Sequence, residues 1–114
     1  MKPTVIDLFA GDGGLSLGFE QVGFDVVLAN EYDKEIAAAY QRNHHKTKMV
    51  VGDITALDLE ETFGSFAGKI DVIIGGPPCQ GFSQKGQRKT IHDERNFLFK
   101  YYVKVVDLVR HRYF

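Results

Sequence analysis

The sequence predicts an α/β fold in which a parallel sheet of about four strands is flanked by helices. Short apolar runs alternate with segments of helical periodicity along the 114 residues, and this alternation is typical of βαβ units. The runs are continuously apolar, as parallel strands covered on both faces require. Because a chain of this length forms at most one domain, we expect one sheet and one core.

Four apolar runs are the predicted strands, and β-branched and aliphatic residues dominate them. They span residues 4–9, 25–29, 49–51 and 70–74. Helices are predicted between and after them. One follows a glycine turn at 10–14 and ends at Gly23, and one begins after the N-cap Asp33. A weak helix lies within 55–69, and a longer apolar helical face runs from Phe97 to Val109.

Polar or reactive features follow the carboxyl end of each predicted strand. They are the glycine turn at 9–14, Glu31, Asp53 and Cys79. Ligands of parallel α/β sheets bind beyond the carboxyl ends of the strands. We therefore expect all four features to lie on one rim of the sheet and to form the site.

The glycine turn does not match the dinucleotide fingerprint, because Ser16 stands where the third glycine of G-x-G-x-x-G is required. Asp12 also places a negative charge where phosphates would lie. Glu31 follows Gly11 by twenty residues, the position at which a carboxylate takes ribose hydroxyls. The pattern favours a nucleoside cofactor that has a positive centre and no phosphate, and S-adenosylmethionine is the common one.

Two neighbours of these strand ends suit the base of such a cofactor. Tyr32 offers a flat ring face, and Asp53 can accept a hydrogen bond from an adenine amino group. Each feature is weak evidence by itself, because acidic residues often lie on strand-end loops. Together they describe a nucleoside site.

The chain has one cysteine, Cys79, which follows Pro77 and Pro78 at the end of the fourth predicted strand. A lone cysteine is commonly a buried structural thiol. The two prolines restrict the backbone, and such a rigid turn favours the alternative, a nucleophile. A single cysteine excludes an internal disulfide and is typical of a cytosolic protein.

Charge is distributed unevenly along the chain. Residues 1–78 carry six Lys/Arg against twelve Asp/Glu, and residues 79–114 carry eight against three. The basic part begins at the cysteine loop, which suits a polyanionic substrate, although solvated surface lysines give the same pattern. The basic residues concerned are Lys85, Arg88, Lys89 and Arg95.

Five segments together resemble the first five motifs of the cytosine-C5 DNA methyltransferases, in order and in spacing. They are residues 7–15 with 18–19, 30–33, 52–54, 76–83 and 93–99, of which the Pro-Pro-Cys-Gln block at 77–80 is the most specific. The resemblance implies a partial Rossmann-like fold of S-adenosylmethionine-dependent methyltransferases. Tyr32 stands where many relatives carry tryptophan, which should still stack on a base.

The resemblance also implies roles for individual residues. Cys79 would be the catalytic nucleophile, and no metal is implied. The implied contacts of S-adenosylmethionine are Phe9, Ala10, Gly11, Gly13, Gly14, Leu15, Glu31, Tyr32, Asp53, Ile54, Pro78 and Leu98. The implied contacts of the substrate DNA are Gln80, Ser83, Lys85, Arg88, Lys89 and Arg95.

Later motifs of the family and its target recognition domain do not follow in these 114 residues. We therefore expect residues 1–114 to be the N-terminal part of a catalytic domain that is inactive alone. The expected partners are double-stranded DNA with a flipped cytosine and a complementing C-terminal polypeptide. A bacterial restriction–modification system in the cytoplasm is the expected setting.

Two other functions stay open. One is a non-catalytic S-adenosylmethionine-binding module or a subunit of a split enzyme. The other is a transfer-RNA cytosine-C5 methyltransferase, although the Gly-Phe-Ser continuation at 81–83 is more similar to the DNA enzymes. A four-stranded piece of a larger sheet also has an unpaired edge, which predicts association.

Overall fold

The computed structural model describes residues 2–75 and 94–110 of the chain. Within these two ranges, four strands and four helices form in the predicted order. The strands are β1 (Thr4–Leu8), β2 (Asp25–Glu31), β3 (Lys48–Val51) and β4 (Val72–Gly75). The helices are α1 (Gly14–Gln21), α2 (Lys34–Asn43), α3 (Leu59–Phe63), continued by a 3₁₀ turn at Gly64–Phe66, and α4 (Glu94–Val109).

The strands form one parallel sheet in the order β3-β2-β1-β4. The chain moves outward from β1 through β2 to β3 and then returns to the other side of β1. The direction of winding therefore reverses between β1 and β4, and ligands of such sheets bind at this reversal. The predicted α/β fold with about four parallel strands and flanking helices is confirmed.

Every predicted strand differs from the observed one at one boundary or more, because pairing decides where a strand begins and ends. β1 ends at Leu8 rather than at residue 9, and β3 begins at Lys48 rather than at residue 49. β2 continues to Glu31, two residues beyond the apolar run, since Asn30 pairs with both β1 and β3 and Glu31 pairs with β3. β4 runs from Val72 to Gly75 rather than over 70–74, because its pairing with β1 begins at Val72. Within the described residues, β3 and β4 are the edges of the sheet, and association through an open edge stays a prediction.

The two faces of the sheet are covered by different layers. Side chains alternate along a strand, so Ile6 and Leu8 of β1 pack on one face with α3, the 3₁₀ turn and α4. Val5 lies on the opposite face beside α1. Ala29 of β2 packs there against Tyr40 of α2.

The predicted helix ends are confirmed at two places. Asp33 caps α2, and its Oδ1 accepts hydrogen bonds from the backbone N–H groups of Glu35 (2.9 Å) and Ile36 (3.0 Å). α1 ends before Gly23, which has φ +101°. This left-handed conformation is accessible to glycine without steric cost, and it turns the chain out of the helix.

Candidate functional site

Three of the four predicted strand-end features meet on one rim of the sheet. The backbone N–H of Gly11 donates to Glu31 Oε1 at 2.8 Å, which joins the glycine loop to the end of β2. The N–H of Gly52 donates to the Glu31 carbonyl at 2.9 Å and joins the turn after β3 to the same residue. Glu31 is therefore the centre of the rim.

The loop from Phe9 to Gly14 takes a conformation that most residues avoid. Phe9 has φ +55°, Gly11 +63° and Gly13 +100°. A side chain at Gly13 is also excluded by space, because a Cβ there would lie 2.5 Å from His44 Nε2 and 2.9 Å from Tyr40 Cδ2. Phe9 holds a left-handed conformation that costs a non-glycine residue free energy, and such residues cluster at ligand sites.

Glu31 is held in place by two backbone donors. Its Oε1 accepts from Gly11, and its Oε2 accepts from the N–H of Asp33 at 2.9 Å. Each carboxylate oxygen has two lone pairs, so each can accept a further hydrogen bond. The half-buried carboxylate is thus a preorganised acceptor for a pair of hydroxyl groups.

The other predicted cofactor residues on the rim differ in what they expose. Tyr32 is 72% exposed, so its ring is free to pack on a flat ligand. Leu15, at the start of α1, is 48% exposed, whereas Ala10 is buried. The Oδ1 atom of Asp53 accepts from the N–H of Thr55 (2.9 Å) and from its hydroxyl (2.8 Å) in a local turn.

Two predicted cofactor residues pack into the core on the face covered by α3 and α4. Ile54 is 3% exposed and belongs to that apolar cluster. Leu98 is partly buried against the same cluster. The Ile54 side chain therefore packs in the core, and its contact with the cofactor stays a prediction.

Sequence reasoning missed a buried polar group under the glycine loop. Ser16 Oγ donates to Asp7 Oδ2 at 2.5 Å and lies 2.7 Å from the Tyr40 hydroxyl. All three side chains are at most 1% exposed. One signal was available, because Asp7 is a carboxylate inside an otherwise apolar strand and Ser16 replaces a fingerprint glycine.

Burial dominates the electrostatics of this group. Desolvation raises the pKa of the Asp7 carboxyl from 3.8 to about 6, although the hydrogen bond from Ser16 and the nearby His44 oppose the shift. Burial likewise raises the pKa of the Tyr40 hydroxyl. His44 stacks on Tyr40 with ring centroids 4.3 Å apart, and its Nδ1 lies 2.9 Å from Glu20 Oε1.

The predicted nucleophile and the predicted DNA contacts lie outside the described residues, and so does one predicted cofactor contact. The residues concerned are Pro78, Cys79, Gln80, Ser83, Lys85, Arg88, Lys89 and the side chain of Arg95. Their roles stay predictions. Among residues 2–75 and 94–110, no helix is long and apolar enough to cross a bilayer. In the same part of the chain, no group of three or more His, Cys, Asp or Glu side chains is arranged to hold a metal ion.

Comparisons with known proteins agree with the motifs and the fold. The family model of the C-5 cytosine-specific DNA methylases matches residues 3–114. A similar solved structure is that of a protein described as a DNA modification methyltransferase encoded within a prophage of E. coli. It is 39% identical with a TM-score of 0.77, and the match covers 96% of this chain and 30% of that one.

Curated relatives carry the name Type II methyltransferase. M.NgoPII of Neisseria gonorrhoeae is 44% identical over 110 residues, which are 96% of this chain and 31% of that protein. M.XorII of Xanthomonas oryzae pv. oryzae is 47% identical over 116 residues, which are 99% of this chain and 27% of that protein. The chain thus spans less than a third of the length of these relatives. From the family match over nearly its whole length, the chain belongs to the C-5 cytosine-specific DNA methylases.

Proposed function

We propose that this chain is the cofactor-binding and nucleophile-bearing part of a DNA cytosine-C5 methyltransferase of a restriction–modification system. It would transfer a methyl group from S-adenosylmethionine to C5 of a cytosine flipped out of duplex DNA. Membership of the family supports the reaction class. The names of the Type II relatives support the biological setting.

The observation that carries the cofactor assignment is the Glu31 carboxylate beside the left-handed glycine loop. Two backbone N–H groups hold this carboxylate, at 2.8 and 2.9 Å, so it can accept the two ribose hydroxyls without first being ordered. S-adenosylmethionine, when bound, supplies a methyl group made electrophilic by its sulfonium. The residues present fit this nucleoside, which has a ribose diol and no phosphate.

We assign the remaining rim residues to different parts of the cofactor. We assign the methionine portion to the turn formed by Phe9, Gly11 and Gly13, whose positive φ angles turn the backbone sharply beside Glu31. The exposed ring of Tyr32 would pack on adenine, and Asp53 would accept from the adenine amino group. Ala10, Gly14, Leu15, Ile54, Pro78 and Leu98 complete the proposed cofactor contacts.

Cys79 carries the proposed covalent chemistry. Its thiolate adds to cytosine C6, which converts the ring to an enamine and makes C5 nucleophilic. After C5 is methylated, a base removes the C5 proton and the Cys79–C6 bond breaks, so the aromatic ring and the thiolate are both restored. The target cytosine must leave the duplex so that it can be reached from both faces of its ring. Gln80, Ser83, Lys85, Arg88, Lys89 and Arg95 are the proposed DNA contacts.

We also propose that residues 1–114 act as the N-terminal portion of a catalytic domain and need a complementing polypeptide for turnover. Similar proteins are more than three times as long as the matched segment, which makes up 31% and 27% of two of them. The chain alone should therefore bind cofactor without methylating DNA. Methylation by the isolated chain would contradict this proposal.

Calorimetric titration with S-adenosylhomocysteine tests the cofactor assignment. Glu31→Ala should weaken binding at least ten-fold, because charge-assisted hydrogen bonds to the ribose are lost. Glu35→Ala is the matched control, since Glu35 is an exposed carboxylate four residues away. Equal binding by both variants, or no binding by the unmodified chain, would show that the rim is not the cofactor site.

Trapping on DNA that contains 5-fluorocytosine tests the nucleophile, because fluorine at C5 prevents release of the adduct. We expect an adduct when the unmodified chain is combined with the C-terminal two thirds of M.NgoPII, and none with Cys79→Ala. Cofactor binding without any adduct would favour the non-catalytic module. Methyl transfer to transfer RNA but not to duplex DNA would favour the RNA enzyme.

A further inference from the structure

Three buried side chains from three different elements form a hydrogen-bonded relay under the glycine loop. Asp7 comes from β1, Ser16 from α1 and Tyr40 from α2. An ionised carboxylate only accepts, so the single Ser16 proton goes to Asp7 Oδ2 at 2.5 Å. The Tyr40 hydroxyl, 2.7 Å from Ser16 Oγ, must then donate to Ser16. The relay therefore runs in one direction, from Tyr40 through Ser16 to Asp7.

The relay passes through the first turn of α1, a helix whose start has no side-chain cap. The N-cap of α1 is Gly13, and the structure shows no side-chain hydrogen bond at this cap and no acidic residue in the first turn. By contrast, α2 is capped by Asp33 and α3 by Asp58. Helix N-termini carry a partial positive charge that a nearby anion stabilises. Asp7 provides that anion from the neighbouring strand, through Ser16 in the first turn.

The glycine loop lies directly against Tyr40 of the relay and against His44, which stacks on Tyr40. A Cβ at Gly13 would meet both His44 and Tyr40 at less than 3 Å, so the backbone of Gly13 touches this aromatic pair. Two residues earlier, Gly11 donates to Glu31. A shift of α1 relative to Tyr40 would therefore move Gly13 and, through the loop, the Gly11–Glu31 contact.

Burial of the Asp7 carboxylate lowers the stability of the fold. Its Oδ1 is buried and has no hydrogen-bond partner among the residues that the structure describes. Burying a polar atom without a partner, and a charge above all, opposes folding. Packing alone does not require a carboxylate there, since apolar side chains fill both faces of β1 around it, at Val5, Ile6 and Leu8.

We infer that Asp7 is a positioning residue for the cofactor. Its carboxylate, acting through Ser16, holds the first turn of α1 and therefore sets the glycine loop for the methionine portion of S-adenosylmethionine. The inference rests on the proposed function, because it concerns the affinity of that same rim. Asp7 itself does not contact the cofactor.

Binding of S-adenosylhomocysteine, measured by calorimetry between pH 5 and pH 8, tests the inference. Because the pKa of Asp7 is about 6, the unmodified chain should bind at least five-fold more weakly at pH 5 than at pH 7.5. Asp7→Asn should bind at pH 7.5 as weakly as the unmodified chain does at pH 5, with no pH dependence. Its midpoint of thermal unfolding should not fall, whereas loss of a merely structural contact would lower it.

The backbone amide resonances of Gly11 and Gly13 give a second readout that needs no ligand. In the unmodified chain both should shift as the pH passes through about 6, and in Asp7→Asn they should not. Should the variant fail to fold, the unmodified chain's binding profile and these two resonances decide the question.

Other titratable groups act electrostatically on Asp7 or are affected by it. They are His44 at the C-cap of α2, Glu31 at the end of β2 and Tyr102 on α4, with Glu20 of α1 bonded to His44. Glu20→Gln is the control, because it removes a charge outside the relay and should keep the pH profile of the unmodified chain.

The possible results lead to different conclusions. A flat binding profile in the unmodified chain, normal binding by Asp7→Asn, or loss of the pH dependence in Glu20→Gln would each overturn the inference. If the Gly11 and Gly13 resonances shift with pH but S-adenosylhomocysteine does not bind, the cofactor site and the positioning role of Asp7 are both refuted. The effect of the relay on the conformation of the loop would still stand.

Discussion

The two faces of the sheet differ in what fills them. On the face covered by α3 and α4, buried apolar side chains such as Ile6, Leu8 and Phe63 form one cluster. The face covered by α1 and α2 carries smaller apolar clusters together with the buried polar side chains of Asp7 and Ser16. The first face is thus filled by apolar packing, whereas the second combines apolar packing with the buried polar group that we infer to position the candidate site.

The largest effect on stability should come from the apolar face. Phe63 is fully buried in its cluster, and Phe63→Ala should lower the free energy of unfolding by about 3–5 kcal/mol through lost transfer energy and a cavity. Denaturant unfolding measures the change. Phe99→Ala is the matched control, since Phe99 is 49% exposed and its loss should cost under about 1 kcal/mol. Equal losses would mean that this face does not dominate stability.

The second prediction concerns the face covered by α1 and α2, the polar face, where buried Asp7 should make the free energy of unfolding depend on pH. The pKa of Asp7 is raised in the folded state from 3.8 to about 6, so between these values the native chain binds more protons than the unfolded chain. This contribution to stability is fully present below about pH 3.8 and is lost as the pH rises through about 6, and it amounts to at most about 3 kcal/mol.

Comparison with Asp7→Asn isolates this contribution from all other titrating groups. The free energy of unfolding of the unmodified chain, minus that of the variant, should fall as the pH rises from 4 to 7.5. Urea unfolding at several pH values measures this difference. A difference that is constant with pH would show that Asp7 ionises normally in the fold.

The smallest expected change in stability comes from the N-cap of α2, a helix on the polar face that is capped by the side chain of Asp33. Asp33 accepts two backbone hydrogen bonds at the start of α2, so Asp33→Ala should lower the free energy of unfolding by about 1 kcal/mol. Asp25→Ala, at an exposed strand start, serves as control in the same thermal unfolding assay. An equally small loss in both variants would remove the contrast between capped α2 and α1.

Much of the fold could be predicted because its signals are local. Each strand is a contiguous apolar run, and the cap at Asp33 and the stop at Gly23 depend on neighbours within a few residues. The extent of β2 was not predictable in this way. Its last two residues are strand because Asn30 pairs with both β1 and β3 and Glu31 pairs with β3, and pairing is a property of the sheet.

The candidate site was predictable in outline and not in detail. Parallel strands bring their carboxyl ends to one edge, so the meeting of the glycine loop with Glu31 and the turn at Gly52 followed from the order of elements. Ile54 is predicted to contact the cofactor, and that contact stays a prediction. The sequence did not show that its side chain also packs into the core, because the pattern over a short turn does not say which way a side chain faces.

By itself, the sequence determined the α/β class, the rim and the family, since these depend on local patterns and on motifs in fixed order. Only the tertiary structure decided that Asp7, Ser16 and Tyr40 form a relay. Their contacts join residues 9 and 24 positions apart on three elements. The physical reason is that a hydrogen bond depends on distance in space and burial depends on the packed layers, and neither is written in the spacing of residues along the chain.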